Sequence, residues 1–117
     1  MKKIYHLETC KTCQKILKAL EPLDGIELRE IKSKGVTENE LEEMRALTAS
    51  YEDLFSRRAM LFRQRGLNNQ ELGDLDFKNL ILEHYTFLKR PVVVVDDKIF
   101  IGNAKKQVEG AKTALHG

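Results

Sequence analysis

PVVVVDDKIFI, residues 91–101, is the stretch on which the fold turns. PVVVV (91–95) is a β-branched run, Asp96-Asp97 supplies a two-residue turn, and KIFI (98–101) is a matching partner, so the stretch predicts an antiparallel hairpin. Gly102-Asn103 ends it. Asn103 is then placed to cap a last helix whose apolar positions include Val108, Ala111 and Leu115.

Working back to the N-terminus, KKIYHL (2–7) has the length and alternation of a strand. Cys13, Ile16, Leu17 and Leu20 recur at helical spacing, which predicts an amphipathic helix over 11–21 stopped near Pro22. Asp24-Gly25 marks a turn, and IELREI (26–31) alternates apolar and charged residues like a half-buried strand. These three elements make a β-α-β unit, whose two strands are expected to run parallel.

Between the unit and the hairpin the pattern is helical. Thr37 followed by Glu40 is a capping-box spacing for a helix through about Ala46. The segment from Tyr51 to Gly66, with Leu54, Phe55, Leu61 and Phe62, is expected to be helical as well. Asp74 or Asp76 is expected to cap a further helix with Leu75, Leu80, Ile81 and Tyr85 on its apolar face. The order β-α-β, helical segment, β-β-α predicts an α/β protein with a thioredoxin-like fold: one domain over 1–117 with a helical insert at about 37–85.

The chain has 117 residues, 20 basic and 18 acidic side chains, a formal charge of +2, and 42% hydrophobic residues. One hydrophobic core of this size needs neither metal nor disulfide to hold it. The charge balance lacks the basic excess of a nucleic-acid-binding surface, so no direct nucleic-acid contact is expected. No run is long enough to span a membrane or form a secretory leader, which predicts a cytoplasmic protein.

The chemistry then rests on ETCKTCQK (8–15), which holds both cysteines of the chain, Cys10 and Cys13. A structural disulfide is disfavoured, because the cytosol is reducing and the loop closed by the pair is too short to restrict the unfolded chain much. A zinc site would want four ligands, commonly including a second close pair; His6, His84 and His116 do not supply one, and no metal is expected. Two small apolar side chains in a core would suit Cys13 better than Cys10, which has Glu8, Thr9 and Lys11 around it. Working thiols remain the favoured reading.

A reactive cysteine needs its thiolate stabilised, and a helix N-terminus does so through its unpaired N–H groups and positive macrodipole end. Cys10, at or just before the first helical residue, is expected to be the nucleophile. Cys13, one turn in on the apolar face, is expected to resolve the adduct on Cys10. Lys11 and Thr12 lie between them and are expected to shape the site.

Two basic stretches are candidates for anion binding, SRRAMLFRQR (56–65) and FLKRP (87–91). Pro91 opens the strand expected beside the reactive loop, at a place where thioredoxin-like proteins commonly have a cis bond, and Arg90 is expected to point toward Cys10. Its planar fork of donors suits a tetrahedral oxyanion and its fixed charge lowers a nearby thiol pKa. Arg57 or Arg58 could supply a second fork, although most of this arginine cluster is expected to be a solvated face salt-bridged to Glu52 and Asp53.

CKTCQK, SRRAMLF, LKRPVVVV and IGN, in this order and spacing, resemble the arsenate reductase (ArsC) family, nearest its Spx/MgsR-like branch. The resemblance covers nearly the whole chain. It implies a thioredoxin-like fold with a helical insert, a nucleophilic cysteine at Cys10, and oxyanion-binding arginines at Arg58 and Arg90. For an enzyme it implies reduction of arsenate or another small oxyanion, or of a protein or low-molecular-weight disulfide. No bound cofactor is expected, and glutathione with glutaredoxin, or thioredoxin, would be the electron donor. Glutathione-coupled reductases of the family carry one catalytic cysteine and a further arginine near the C-terminal strands, where this chain has Cys13 and GNAKKQ (102–107). Spx-like regulators do carry C-x-x-C, as a redox switch, and bind the C-terminal domain of the RNA polymerase α-subunit. They typically also have a Gly near Ser50 and a longer C-terminal tail. Both activities stand as expectations.

Overall fold

A computed structural model describes residues 1–117. The chain divides into two compact units, Met1–Lys34 with Arg90–Gly117, and Gly35–Lys89.

The first unit is built on a four-stranded mixed sheet. Its strands are β1 (Lys2–His6), β2 (Glu27–Glu30), β3 (Val92–Val95) and β4 (Lys98–Ile101), in the order β2-β1-β3-β4. β1 and β2 are parallel, with Ile4 opposite Leu28 and His6 opposite Glu30. β3 runs antiparallel to β1, pairing Val93 with Ile4, and β4 returns antiparallel to β3. Helix α1 (Lys11–Ala19) follows β1, and the unit's other helix (Lys105–His116) closes the chain. Ile4, Val93 and Val95 share one sheet face, where Ile16 and Leu20 meet Ala111 and Leu115 from the closing helix. Burial of each such valine, leucine or isoleucine side chain contributes about 1.5–3 kcal/mol. This is the thioredoxin-like arrangement, with a helical segment inserted between β2 and β3.

In the second unit, α2 (Glu38–Arg45) begins with the expected capping box. Thr37 Oγ1 accepts from the Glu40 N–H at 3.1 Å, and the Glu40 carboxylate accepts from the Thr37 N–H at 2.9 Å. The next segment departs from expectation. Residues 51–66 are not one helix but a 3-10 turn at Glu52–Leu54, an extended piece, and a short α3 (Met60–Gln64) ended by Gly66 at φ 68°. The physical reason is Phe55. It bridges to Leu88 in extended conformation, flanked by hydrogen bonds from Ser56 N–H to the Phe87 carbonyl and from Lys89 N–H to the Leu54 carbonyl. Its ring sits among Phe62, Phe77 and Phe87, with centroids 4.7–5.7 Å away. The hub takes Phe55 and Phe62, two of the apolar residues that suggested a helix.

Helix α4 (Asp74–Glu83) is where expected, but its buried positions are Phe77 and Ile81, while Leu75 is exposed and Tyr85 lies beyond the helix in a 3-10 turn. Neither aspartate is the cap residue. Gly73 holds that place; Asp76 reaches back to its N–H, and Asp74 accepts from the N–H groups of Tyr51 and Glu52. The closing helix, α5 (Lys105–His116), is capped at Ala104 rather than Asn103, without a side-chain bond. Gln107 Oε1 instead turns back to the Ile101 N–H at 3.1 Å.

Candidate functional site

The site starts at the end of β1. The Cys10 N–H closes a turn onto the Leu7 carbonyl at 3.0 Å, and the Cys10 carbonyl accepts from the Gln14 N–H at 3.1 Å as the first helical bond of α1. Cys10 is therefore the N-cap of α1, with extended backbone, and no acidic residue stands in the first turn to oppose a thiolate. Cys13 lies inside that turn and is 0% exposed, whereas Cys10 is partly exposed and Lys11 and Thr12 beside it are exposed. The structure thus brings both sulfurs to the mouth of one helix. It leaves one accessible and the other shielded.

The two thiols are driven apart electrostatically. For Cys10 burial pushes the pKa up, but the Cys13 N–H, the Cys13 thiol, the Arg90 guanidinium and the Thr12 N–H outweigh it, and the net shift is down. The neutral thiol makes no capping hydrogen bond of ordinary geometry, yet these N–H groups lie close enough to favour its charged form. For Cys13 burial dominates and, with the Cys10 thiol and its charge, raises the pKa from 9.0 to about 11, against opposition from a backbone bond with Leu7 and from Arg90.

Arg90 precedes β3, and the Arg90–Pro91 peptide is cis. Its charge reaches both sulfurs, although Arg90 lies 80 residues beyond Cys10 and 77 beyond Cys13 in sequence. Arg58 belongs to the Gly35–Lys89 unit, where its side chain is exposed. Two other arginines of the cluster are engaged structurally, in part as expected. Arg57 pairs with Glu52 at 2.6 Å and lies over the Phe77 ring, and Arg65 pairs with Glu83 at 2.6 Å. Asp53 pairs with no arginine; it accepts from the Thr48 hydroxyl at 2.8 Å and the Ala49 N–H.

No group of three or more His, Cys, Asp or Glu side chains is gathered to hold a metal ion. His84 Nδ1 accepts from the Thr86 N–H, and His116 Nε2 lies 2.6 Å from the Leu20 carbonyl oxygen. No helix is long and apolar enough to cross a membrane.

Sequence reasoning missed two residues of the site. Glu30, at the end of β2, accepts the Glu8 N–H of the reactive turn at 3.0 Å, and Gln14 Nε2 donates to the Glu8 carbonyl at 2.5 Å. The signal available was weak: Glu30 ends a strand that the β-α-β order places beside β1, at the level of the reactive loop.

The model of the ArsC family matches residues 5–111. The global transcriptional regulator Spx 2 of Bacillus cereus is 30% identical over 108 residues, covering 90% of this chain and 82% of its own. A Staphylococcus aureus protein solved by solution NMR superposes with a TM-score of 0.72 at 30% identity, covering 94% of this chain and 97% of its own. The crystal structure of an ArsC family related protein from Bacteroides fragilis gives a TM-score of 0.79 at 21% identity, over 94% and 96% of the two chains, a likeness of fold.

Proposed function

Because the chain belongs to the ArsC family, we propose that it is a redox-switched regulator of the Spx kind. Its dithiol state would govern binding to the C-terminal domain of the RNA polymerase α-subunit in the cytoplasm. The observation that supports this most is the extended similarity to an Spx regulator in a chain that carries a thiol pair at one helix mouth. On this reading residues 1–117 work as one functional domain, with Lys11, Thr12 and Pro91 shaping the surroundings of the sulfurs.

The switch is a balanced two-electron exchange. The Cys10 thiolate attacks a low-molecular-weight or protein disulfide, forming a mixed disulfide and releasing one thiolate. The Cys13 thiol, on losing its proton, attacks the Cys10 sulfur and releases the second. The pair is oxidised and the incoming disulfide is reduced. Glutathione with glutaredoxin, or thioredoxin, would restore the dithiol.

A second reading, a small-oxyanion reductase such as an arsenate reductase, is favoured by one observation: an accessible Cys10 sulfur whose pKa is held down partly by Arg90. There Cys10 would attack the oxyanion, and Arg90 would hold its oxygens.

Titration of the α-subunit domain with reduced protein, disulfide-oxidised protein, Cys10→Ser and Cys13→Ser separates the two. The regulator reading expects at least about a tenfold difference in Kd between reduced and oxidised forms, about 1.4 kcal/mol, and no redox response in either variant. Equal affinities in both states, or no complex, together with arsenate turnover that Cys10→Ser abolishes, would establish the reductase instead.

A further inference from the structure

The turn that carries Cys10 is held from outside by two side chains that take both ends of one peptide unit pair. The N–H of Glu8 donates to Glu30 Oε2 at 3.0 Å, and the carbonyl of Glu8 accepts from Gln14 Nε2 at 2.5 Å. Glu30 comes from the neighbouring strand β2, and Gln14 from the helix that Cys10 caps. Glu30 is committed on its other oxygen too. Oε1 accepts from the N–H groups of Lys32 at 2.7 Å and Ser33 at 3.2 Å, where the chain leaves β2. One carboxylate therefore fastens the reactive turn to the segment that follows β2.

We infer that Glu30 and Gln14 are positioning residues, which hold the Glu8 peptide and through it keep the Cys10 sulfur at the mouth of α1. The inference rests on the reading of Cys10 as the reactive thiol. Its physical basis is that N–H donors and a helix dipole act only over the first turn, so a sulfur swung away by a loosened turn loses them. A carboxylate spends a charged acceptor on this task, and bonds to charged groups are the stronger ones. Its own pKa reflects that: burial raises it, but the Glu8, Ser33 and Lys32 N–H groups, with His6, bring it below the ordinary value.

A through-space role for Glu30 makes the opposite prediction. Removing a negative charge near a sulfur would ease thiolate formation and speed alkylation at neutral pH. The sign of the effect therefore decides between the two.

The test is the rate of Cys10 alkylation by iodoacetamide against pH in the full-length protein, for wild type, Glu30→Ala, Glu30→Gln and Gln14→Ala. Expected is a rate at pH 7 about threefold lower in Glu30→Ala, reflecting a smaller thiolate fraction, with the rate at full deprotonation no lower than in wild type. Gln14→Ala moves the same way. Glu30→Gln falls between, because its single carbonyl oxygen can serve Glu8 or the Lys32–Ser33 pair, but not both as the carboxylate does. An unchanged or faster rate at pH 7 in both Glu30→Ala and Gln14→Ala overturns the inference, and a lowered melting temperature alone does not support it. If wild-type Cys10 itself titrates at or above the ordinary 9.0, it is the reactive-thiol reading that has failed.

Discussion

Cys10 and Cys13 should differ sharply in reactivity, and the size of the difference follows from their surroundings. Raising the Cys13 pKa from 9.0 to about 11 cuts its thiolate fraction at neutral pH about a hundredfold. A more basic thiolate is a better nucleophile, with a Brønsted slope of about 0.4–0.5, which restores at most about tenfold. Cys13 is therefore about tenfold slower than an unperturbed thiol before access is considered, and its 0% exposure slows it further. Cys10 shifts the other way. The assay is brief iodoacetamide treatment at pH 7, followed by trypsin and mass spectrometry. Lys11 lies between the cysteines, so cleavage there puts them on separate peptides. Cys10 should be modified at least about tenfold faster. In Cys10→Ser the alkylation midpoint of Cys13 should fall below about 11, because the Cys10 thiol and its charge contribute to the upward shift. Equal modification of both cysteines at pH 7, or an unchanged Cys13 midpoint in Cys10→Ser, would refute the reasoning.

Two further outcomes test the framework around the site. Gly110→Ala should destabilise the protein by about 1 kcal/mol in urea denaturation. The new methyl would stand 2.7 Å from the Phe100 ring, and overpacking at about 1–3 kcal/mol outweighs a helix-propensity gain of about 1 kcal/mol; in a Phe100→Val background the same change should stabilise. Asp53→Ala should lower the melting temperature at neutral pH but not in strong acid. The Thr48 hydroxyl, against burial and with the Ala49 N–H, holds the Asp53 pKa below 3.8, so its contribution is complete above 3.8 and is lost as pH falls through the folded value.

What was legible in the sequence was what local chemistry dictates. The valine run and its Asp96-Asp97 turn could hardly be anything but a hairpin, and Asp96 accepts the positive φ of 53° that the turn requires. Thr37 and Glu40 announced a helix start because both halves of a capping box lie within four residues. Cys10 at the head of α1 followed from the same kind of local reasoning. The misreadings came where long-range partners overrode spacing. Phe55 satisfies a helical stripe on paper, but its bridge to Leu88 and its three ring neighbours hold it extended. Asn103 is a better capping residue than Ala104, yet Gln107 satisfies the nearby backbone from inside the helix. Glu30 illustrates the limit most clearly: its partners are 22 residues away at Glu8 and two or three residues on, and nothing in its immediate sequence marks it out.

Regulator and reductase both need Cys10 to attack, so they part at Cys13 and at the fate of the disulfide. A reductase must clear its disulfide in every cycle, whereas a switch must keep it long enough to be read. With the exposures of the dithiol form kept on oxidation, an incoming thiolate would meet the partly exposed Cys10 sulfur rather than the buried Cys13, which would then depart as the leaving group. A thiol with a lower pKa leaves faster, and burial, the largest influence on Cys13, pushes its pKa up. Re-reduction by attack at Cys10 is therefore slowed by the same apolar setting that shields Cys13 in the dithiol form. Closure passes through the same mixed disulfide in the other direction, so the burial that makes Cys13 a poor leaving group also withholds its thiolate when it must attack. Slow exchange in both directions at the mouth of α1 would suit a switch, whose state must last long enough to be read, and would limit a reductase, which must open its disulfide in every cycle.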